Sequence, residues 1–226
     1  MRRTLPYCFV TIQILFSQFA SAQLYIEETF FPVYVKKNDI SNELGGAVTG
    51  SVPTESGIGF DFRTTIGYTF TTGIILGLTY NYYGVNTSRP AQGGFEAATR
   101  VVGKSELGPA VGYSLGTWKF LLCYFVSGEK FQDYRLEAAT VVDESYKNTG
   151  ISGFQFTINY GLSLGSGWEI GPSLIYRSAS YSKQAYVVRS GSGTPYPETS
   201  LATAAIDDEL RPMVTVVYRT GTGGSR

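Results

Sequence analysis

Histidine is absent from the 226 residues of this chain, and cysteine occurs only twice, at Cys8 and Cys123. A Ser-His or Asp-His proton relay needs an imidazole, and a zinc site needs His or clustered thiolates. Composition therefore argues against an enzyme, and no cofactor or metal is expected. What is left for chemistry is a set of charged side chains in unusual company. Asp61, Arg63, Glu106, Lys119, Glu169, Arg177 and Arg211 each adjoin at least one large apolar residue, and all but Arg211 have a glycine, threonine or alanine two positions away. Charges of both signs on one face of a packed element should pair, because an unpaired one costs several kcal/mol. They form either an ion-paired plug, which is the favoured reading, or a gate that selects ions. Glu43, Asp143-Glu144 and Asp207-Asp208-Glu209 offer carboxylates that suit calcium. Lying in polar stretches, they read first as solvated loop acids.

The elements that hold these charges have period two. From Gly57 to Gly84, Ile58, Phe60, Phe62, Thr64, Ile66, Tyr68 and Phe70 share one parity, and Gly59, Asp61, Arg63, Thr65 and Gly67 share the other. Thr71-Thr72 interrupts, and Ile74, Leu76, Leu78, Tyr80 and Tyr82 then resume the large face. Two alternating runs joined by so short a turn predict an antiparallel hairpin. The same design recurs over 105–115 and 118–127 about Gly116-Thr117, and over 150–164 and 168–177 about 165–167. A last strand is predicted over 209–219. A first strand over 23–37 has apolar residues and a Glu on both parities, so a bulge or late start is expected there. Long polar loops are expected over 38–56, 86–103, 128–149 and 182–208. Pro109, Pro172 and Pro212 fall inside strands, where each removes a ladder donor, and bulges are expected at them.

Eight strands with two faces of opposite character give the fold class: all-β, an eight-stranded antiparallel up-and-down transmembrane β-barrel. A soluble sandwich would bury its large face, whereas a membrane barrel turns that face to lipid and fills its interior with small and polar groups. Ile75, Leu121, Phe125, Ile175 and Val217 point inward by parity and would block a wide water path, and Cys123 points inward as a small apolar filler. The N-terminus supports export. Arg2-Arg3, an apolar run from Tyr7 to Phe16 and Ala20-Ser21-Ala22 make a secretory signal peptide. The expected organisation is thus a signal peptide over 1–22, a barrel over 23–220 and a flexible tail over 221–226. Removing the signal takes away two Arg and leaves 16 basic residues against 18 acidic ones, a net of −2. That balance offers no basic face for nucleic acid.

The alternating strands, the three tight turns and the positions of Trp118 and Trp168 resemble the small eight-stranded outer-membrane barrels of Gram-negative bacteria, the OmpA-membrane-domain, OmpX and OmpW kind. The resemblance covers nearly all of the chain after the signal and rests on pattern rather than on a motif. It implies location in the outer membrane, contact with lipid and lipopolysaccharide, insertion by the barrel assembly machinery and a monomeric state. It also implies an aromatic girdle, for which the candidates are Tyr68, Phe70, Tyr113, Trp118, Tyr160, Trp168, Tyr80, Tyr82, Tyr124, Phe154 and Tyr176. The implied function is structural or surface-interacting, through four long loops that engage an extracellular ligand. The alternatives are a narrow channel or OmpW-like conduit for small solutes, and a secreted, soluble, lipocalin-like binding barrel.

Overall fold

The structure is a computed structural model that describes residues 22–37, 54–91, 97–136, 143–190 and 196–220. The expected signal peptide, most of the expected first long loop and the expected tail lie outside these residues. Ten antiparallel strand segments follow in order: β1 (Gln23–Lys37), β2 (Glu55–Thr69), β3 (Ile74–Arg89), β4 (Ala98–Leu115), β5 (Trp118–Phe125), β6 (Ser127–Leu136), β7 (Asp143–Tyr160), β8 (Leu162–Gly165), β9 (Trp168–Ser190) and β10 (Tyr196–Arg219). β5 and β6 are one strand broken at Val126, and β7 and β8 are one strand broken at Gly161. The result is an all-β antiparallel sheet with a ring of eight strands, in which β1 pairs with both β2 and β10.

Stepping from each residue to the one opposite it leads from Tyr25 through Gly67, Gly77, Ala110, Cys123, Gln155 and Arg177 to Glu209. Extending the β1–β10 register returns this path to Val35, ten residues beyond its start. The strands are therefore staggered and tilted. An eight-stranded ring of this kind has an interior just wide enough for side chains.

Burial follows the alternation. On β2, Asp61, Arg63, Thr65 and Thr69 are buried while Ile58, Phe60, Phe62, Ile66 and Tyr68 are exposed on the outer wall. The five apolar residues expected to point inward are all buried, and so is Cys123. All but Ile175 belong to two small clusters: Tyr25, Ile75, Leu121 and Val217 near the short turns, and Ala110, Cys123, Phe125, Ala179 and Tyr181 higher up. The turns lie where the sequence places them. Gly73, Gly116, Gly165 and Gly167 adopt positive φ, a conformation that costs glycine nothing.

Three expectations need correction. β1 has no bulge and no late start: all its residues pair with β2 without a register shift. Its ambiguous parity resolves with Tyr25, Glu27 and Thr29 inside. The predicted loops over 86–103, 128–149 and 182–208 are largely strand, since β3, β4, β6, β7, β9 and β10 run well past the apolar pattern. Backbone pairing there continues where neither face is apolar. The prolines produce interruptions that differ in kind. Beside Pro109 there is a bulge, but it lies on the neighbouring strand at Val126, whose N–H reaches Leu107. Beside Pro172 the pairing with β9 lapses between Asn159–Ser173 and Leu162–Ile170 without a shift of register, while Gly161 N–H carries the β5 pairing one step further, to Thr117. Beside Pro212 the β1–β10 ladder ends, its last pair being Phe30–Val214. In each case one ladder continues through the proline and the ladder on its other side gives way.

Candidate functional site

The inward parity of eight strands gathers the charged side chains into two layers. The upper layer, toward the long connections, centres on Arg177 of β9. Its Nε donates to Glu106 at 2.7 Å and its Nη2 donates to the other Glu106 oxygen and to the Tyr181 hydroxyl at 3.1 Å. Tyr181 donates to Glu106 at 3.0 Å, and Asn81 donates to Glu106 at 3.1 Å and to Gln155 at 2.8 Å. Arg211 pairs with Asp61 and, at 2.9 Å, with Glu209. Arg63 lies 3.4 Å from Asp61 on its own strand. Lys104 pairs with Asp207 at 2.8 Å and with Glu209. Tyr83 lies under two of these cations, 4.5 Å from the Arg211 guanidinium and 4.8 Å from Lys104. Asp61, Glu106, Asp207 and Glu209 thus face Arg63, Lys104, Arg177 and Arg211. A pocket between Asp61, Arg63, Glu106 and Arg177 holds ≈ 10 Å³, room for about one water.

The lower layer lies by the short turns. Lys119 is fully buried and pairs with Glu169, whose other oxygen holds Arg219. Glu27 accepts from the Tyr25 hydroxyl and, at 2.7 Å, from Asn159. Hydroxyls fill the height between the layers. Thr29 and Thr215 are 3.0 Å apart, Thr215 donates to Ser173 at 2.8 Å, and Thr65 meets Thr79 at 2.8 Å. Below the lower layer a cup of ≈ 310 Å³ opens at the short-turn end, floored by Glu169 and Arg219. At the opposite rim Glu198 accepts from Thr149 and, at 3.1 Å, from Lys183. These bonds hold its carboxyl below the usual range.

The structure brings Asp61, Arg63, Glu106, Arg177 and Arg211 into one layer and Lys119 and Glu169 into the other. Sequence reasoning missed Glu27, Lys104, Asp207, Glu209 and Arg219. The signal was present in four of them. Lys104 has the parity of Glu106, Asp207 and Glu209 that of Arg211, and Arg219 that of Val217. Lys104 and Asp207 lie just outside the predicted strands, where the apolar half of the alternation fades but the backbone period continues, whereas Glu209 and Arg219 are the end residues of the predicted last strand. Asp207 and Glu209, read as loop acids, are inward strand residues.

The outer wall carries the aromatic candidates in two belts. Tyr68, Tyr113, Trp118 and Trp168 are exposed near the short turns, where Trp118 packs on Tyr160 at 4.9 Å and Trp168 on Tyr218 at 4.7 Å. Tyr80, Tyr82, Tyr124, Phe154 and Tyr176 are exposed higher up, with Phe154 and Tyr176 5.9 Å apart. Phe70 departs from the girdle: it is buried, because the turn it opens closes back on itself through Gly73 N–H to Phe70 and Phe70 N–H to Ile74. Between the belts the wall is Ile, Leu, Val, Phe and Pro with few exceptions. No family model matches the chain, and no curated protein matches it.

Proposed function

We propose that this chain is a small integral outer-membrane protein, an eight-stranded up-and-down β-barrel whose apolar wall faces lipid and whose long connections face the outside of the cell. The signal-like N-terminus delivers it for export, and the assembly machinery for such barrels inserts it. Lipid and lipopolysaccharide surround it, and nucleic acid is not a partner. Its role is structural and surface-interacting, through the long-connection rim.

The observation that carries this reading is the inversion of faces. Ile58, Phe60, Leu78, Val111, Leu122 and Leu174 are on the outside while Asp61, Arg63, Glu106, Lys119 and Arg177 are buried. In water each of those exposed residues would forgo roughly 1.5–3 kcal/mol of burial, which also counts against a soluble binding barrel. In lipid the same wall is at home, and aromatic belts at both ends match the two interfaces. The two charged layers supply polar groups to each other, so the interior needs no water-filled path. That favours a plug over a channel or conduit.

The test is solubility and migration. The chain after the signal should refold into detergent, migrate differently before and after boiling, and float with lipid vesicles through a urea wash. A chain that stays in the aqueous fraction, folded and without detergent, overturns the reading.

A further inference from the structure

The outer wall has two departures from its own rule, and they sit side by side. The first is Glu28. On β1 the inward residues are Tyr25, Glu27 and Thr29, so Glu28 faces outward between Ile26 and Phe30. Across the ladders its neighbours are Thr64 on β2 and Val216 on β10. The Thr64 hydroxyl donates to Glu28 Oε2 at 2.8 Å, and Oε1 has no partner among the described residues. Between the two aromatic belts this is the one outward carboxyl among the described residues. The other outward charges among the described residues, including Lys36, Glu129, Lys147 and Asp208, lie toward the long-connection rim. The second departure is the β1–β10 seam, which closes over six residue pairs, Tyr25–Arg219 to Phe30–Val214, and no further. Extending the register would set Pro32 opposite Pro212, so neither strand can donate there.

The seam is open to the side. Exposure of the inward β10 side chains does not fall with depth: Asp207, nearest the rim, is 15 % exposed, Glu209 13 % and Arg211, the deepest, 20 %. Arg177, across the interior, is 3 % exposed. An opening from above would expose Arg211 least.

A half-satisfied carboxyl and a strand edge with no partner among the described residues are both costly against hydrocarbon, and lipid tails carry no donor to relieve either. We propose that the β10–β1–β2 face is an interface at which two copies of this chain associate side by side in the membrane, their Glu28 side chains meeting across a two-fold axis as a neutral pair of carboxylic acids. A two-fold contact uses the same patch twice, and a carboxylic acid is self-complementary in that arrangement: each copy donates its Oε1–H to the other's Oε2, so the pair is neutral and neither oxygen is left without a partner. The second copy also covers the open edge of residues 31–37. This departs from the monomer expected from the sequence pattern, and it rests on the membrane reading above.

The test is sedimentation equilibrium of the full mature chain in density-matched detergent micelles, for wild type, Glu28→Leu and Glu28→Gln. All three are first floated with vesicles and checked for the heat-dependent shift. Wild type should associate. Glu28→Gln should associate comparably, because an amide also pairs with its own copy. Glu28→Leu should be about 10-fold weaker while keeping its fold, in line with a hydrogen bond worth roughly 1–2 kcal/mol in a membrane. Chains that float but remain monomeric at every protein-to-detergent ratio overturn the interface alone. So does a Glu28→Leu variant that associates as tightly as wild type. Chains that do not float overturn the membrane reading, and the interface with it.

Discussion

Arg177 and Glu106 show what an ion pair does inside a narrow wall. Both are nearly fully buried, and each keeps further partners in Tyr181, Asn81, Asp207 and Glu209. Removing one partner leaves the other charged and dry, which costs roughly 3–5 kcal/mol, whereas replacing both by apolar groups of similar size costs far less. Arg177→Met should therefore lower the urea stability of the vesicle-embedded protein by about 3–5 kcal/mol. Adding Glu106→Leu to it should recover a large part of that loss. Strict additivity of the two single effects would show that the pair is not coupled. Lys119 differs. Its partner Glu169 also holds Arg219, so truncating Lys119 strands no acid.

At the scale of elements, close packing of strands against an interior with little room sets the glycine positions. Gly67 and Gly77 stand directly opposite each other. A Cβ on Gly77 would lie 2.6 Å from the Ile66 carbonyl oxygen and 3.1 Å from the Gly67 Cα. Gly77→Val should cost about 1–3 kcal/mol through overpacking, read as a lower urea midpoint with an unchanged slope. A neutral effect would mean that the β2–β3 hairpin tolerates a side chain that the geometry excludes. Much of this level was legible in the sequence. The alternation of 58–70, 105–115 and 150–164 made strands, faces and turns legible directly, because one face is almost continuously large and apolar and the other small or polar. β1 was illegible for the opposite reason: Glu27 and Glu28 put a carboxyl on each face, one inside with Tyr25 and Asn159 and one outside with Thr64. The outer thirds of β4, β9 and β10 were read as loops because both of their faces are polar there, so no hydrophobic period marks a strand that backbone pairing alone sustains. The partners of the candidate site were invisible for a simpler reason. Which acid meets Arg177 depends on the stagger of the ring, and stagger is a property of pairing rather than of any one strand.

At the scale of the molecule, three features act together: an apolar outer wall, an interior of paired charges that the proposed function reads as a seal, and two rims that differ in the length of their connections. Matched charges let a small ring fill itself without a large apolar core. The pocket between Asp61, Arg63, Glu106 and Arg177 in the upper layer holds ≈ 10 Å³, about one water rather than a solute. The proposed function turns on that seal. A barrel that is plugged acts by what it presents outside the cell, and one that is not plugged acts by what it passes. The most direct measurement is single-channel conductance of the refolded wild-type protein in planar lipid bilayers, with insertion verified independently. A plugged barrel should give no discrete openings at either polarity. Reproducible conductance steps in the wild type, altered in size or ion selectivity by Arg177→Ala, would contradict it and make the charged layer a gate.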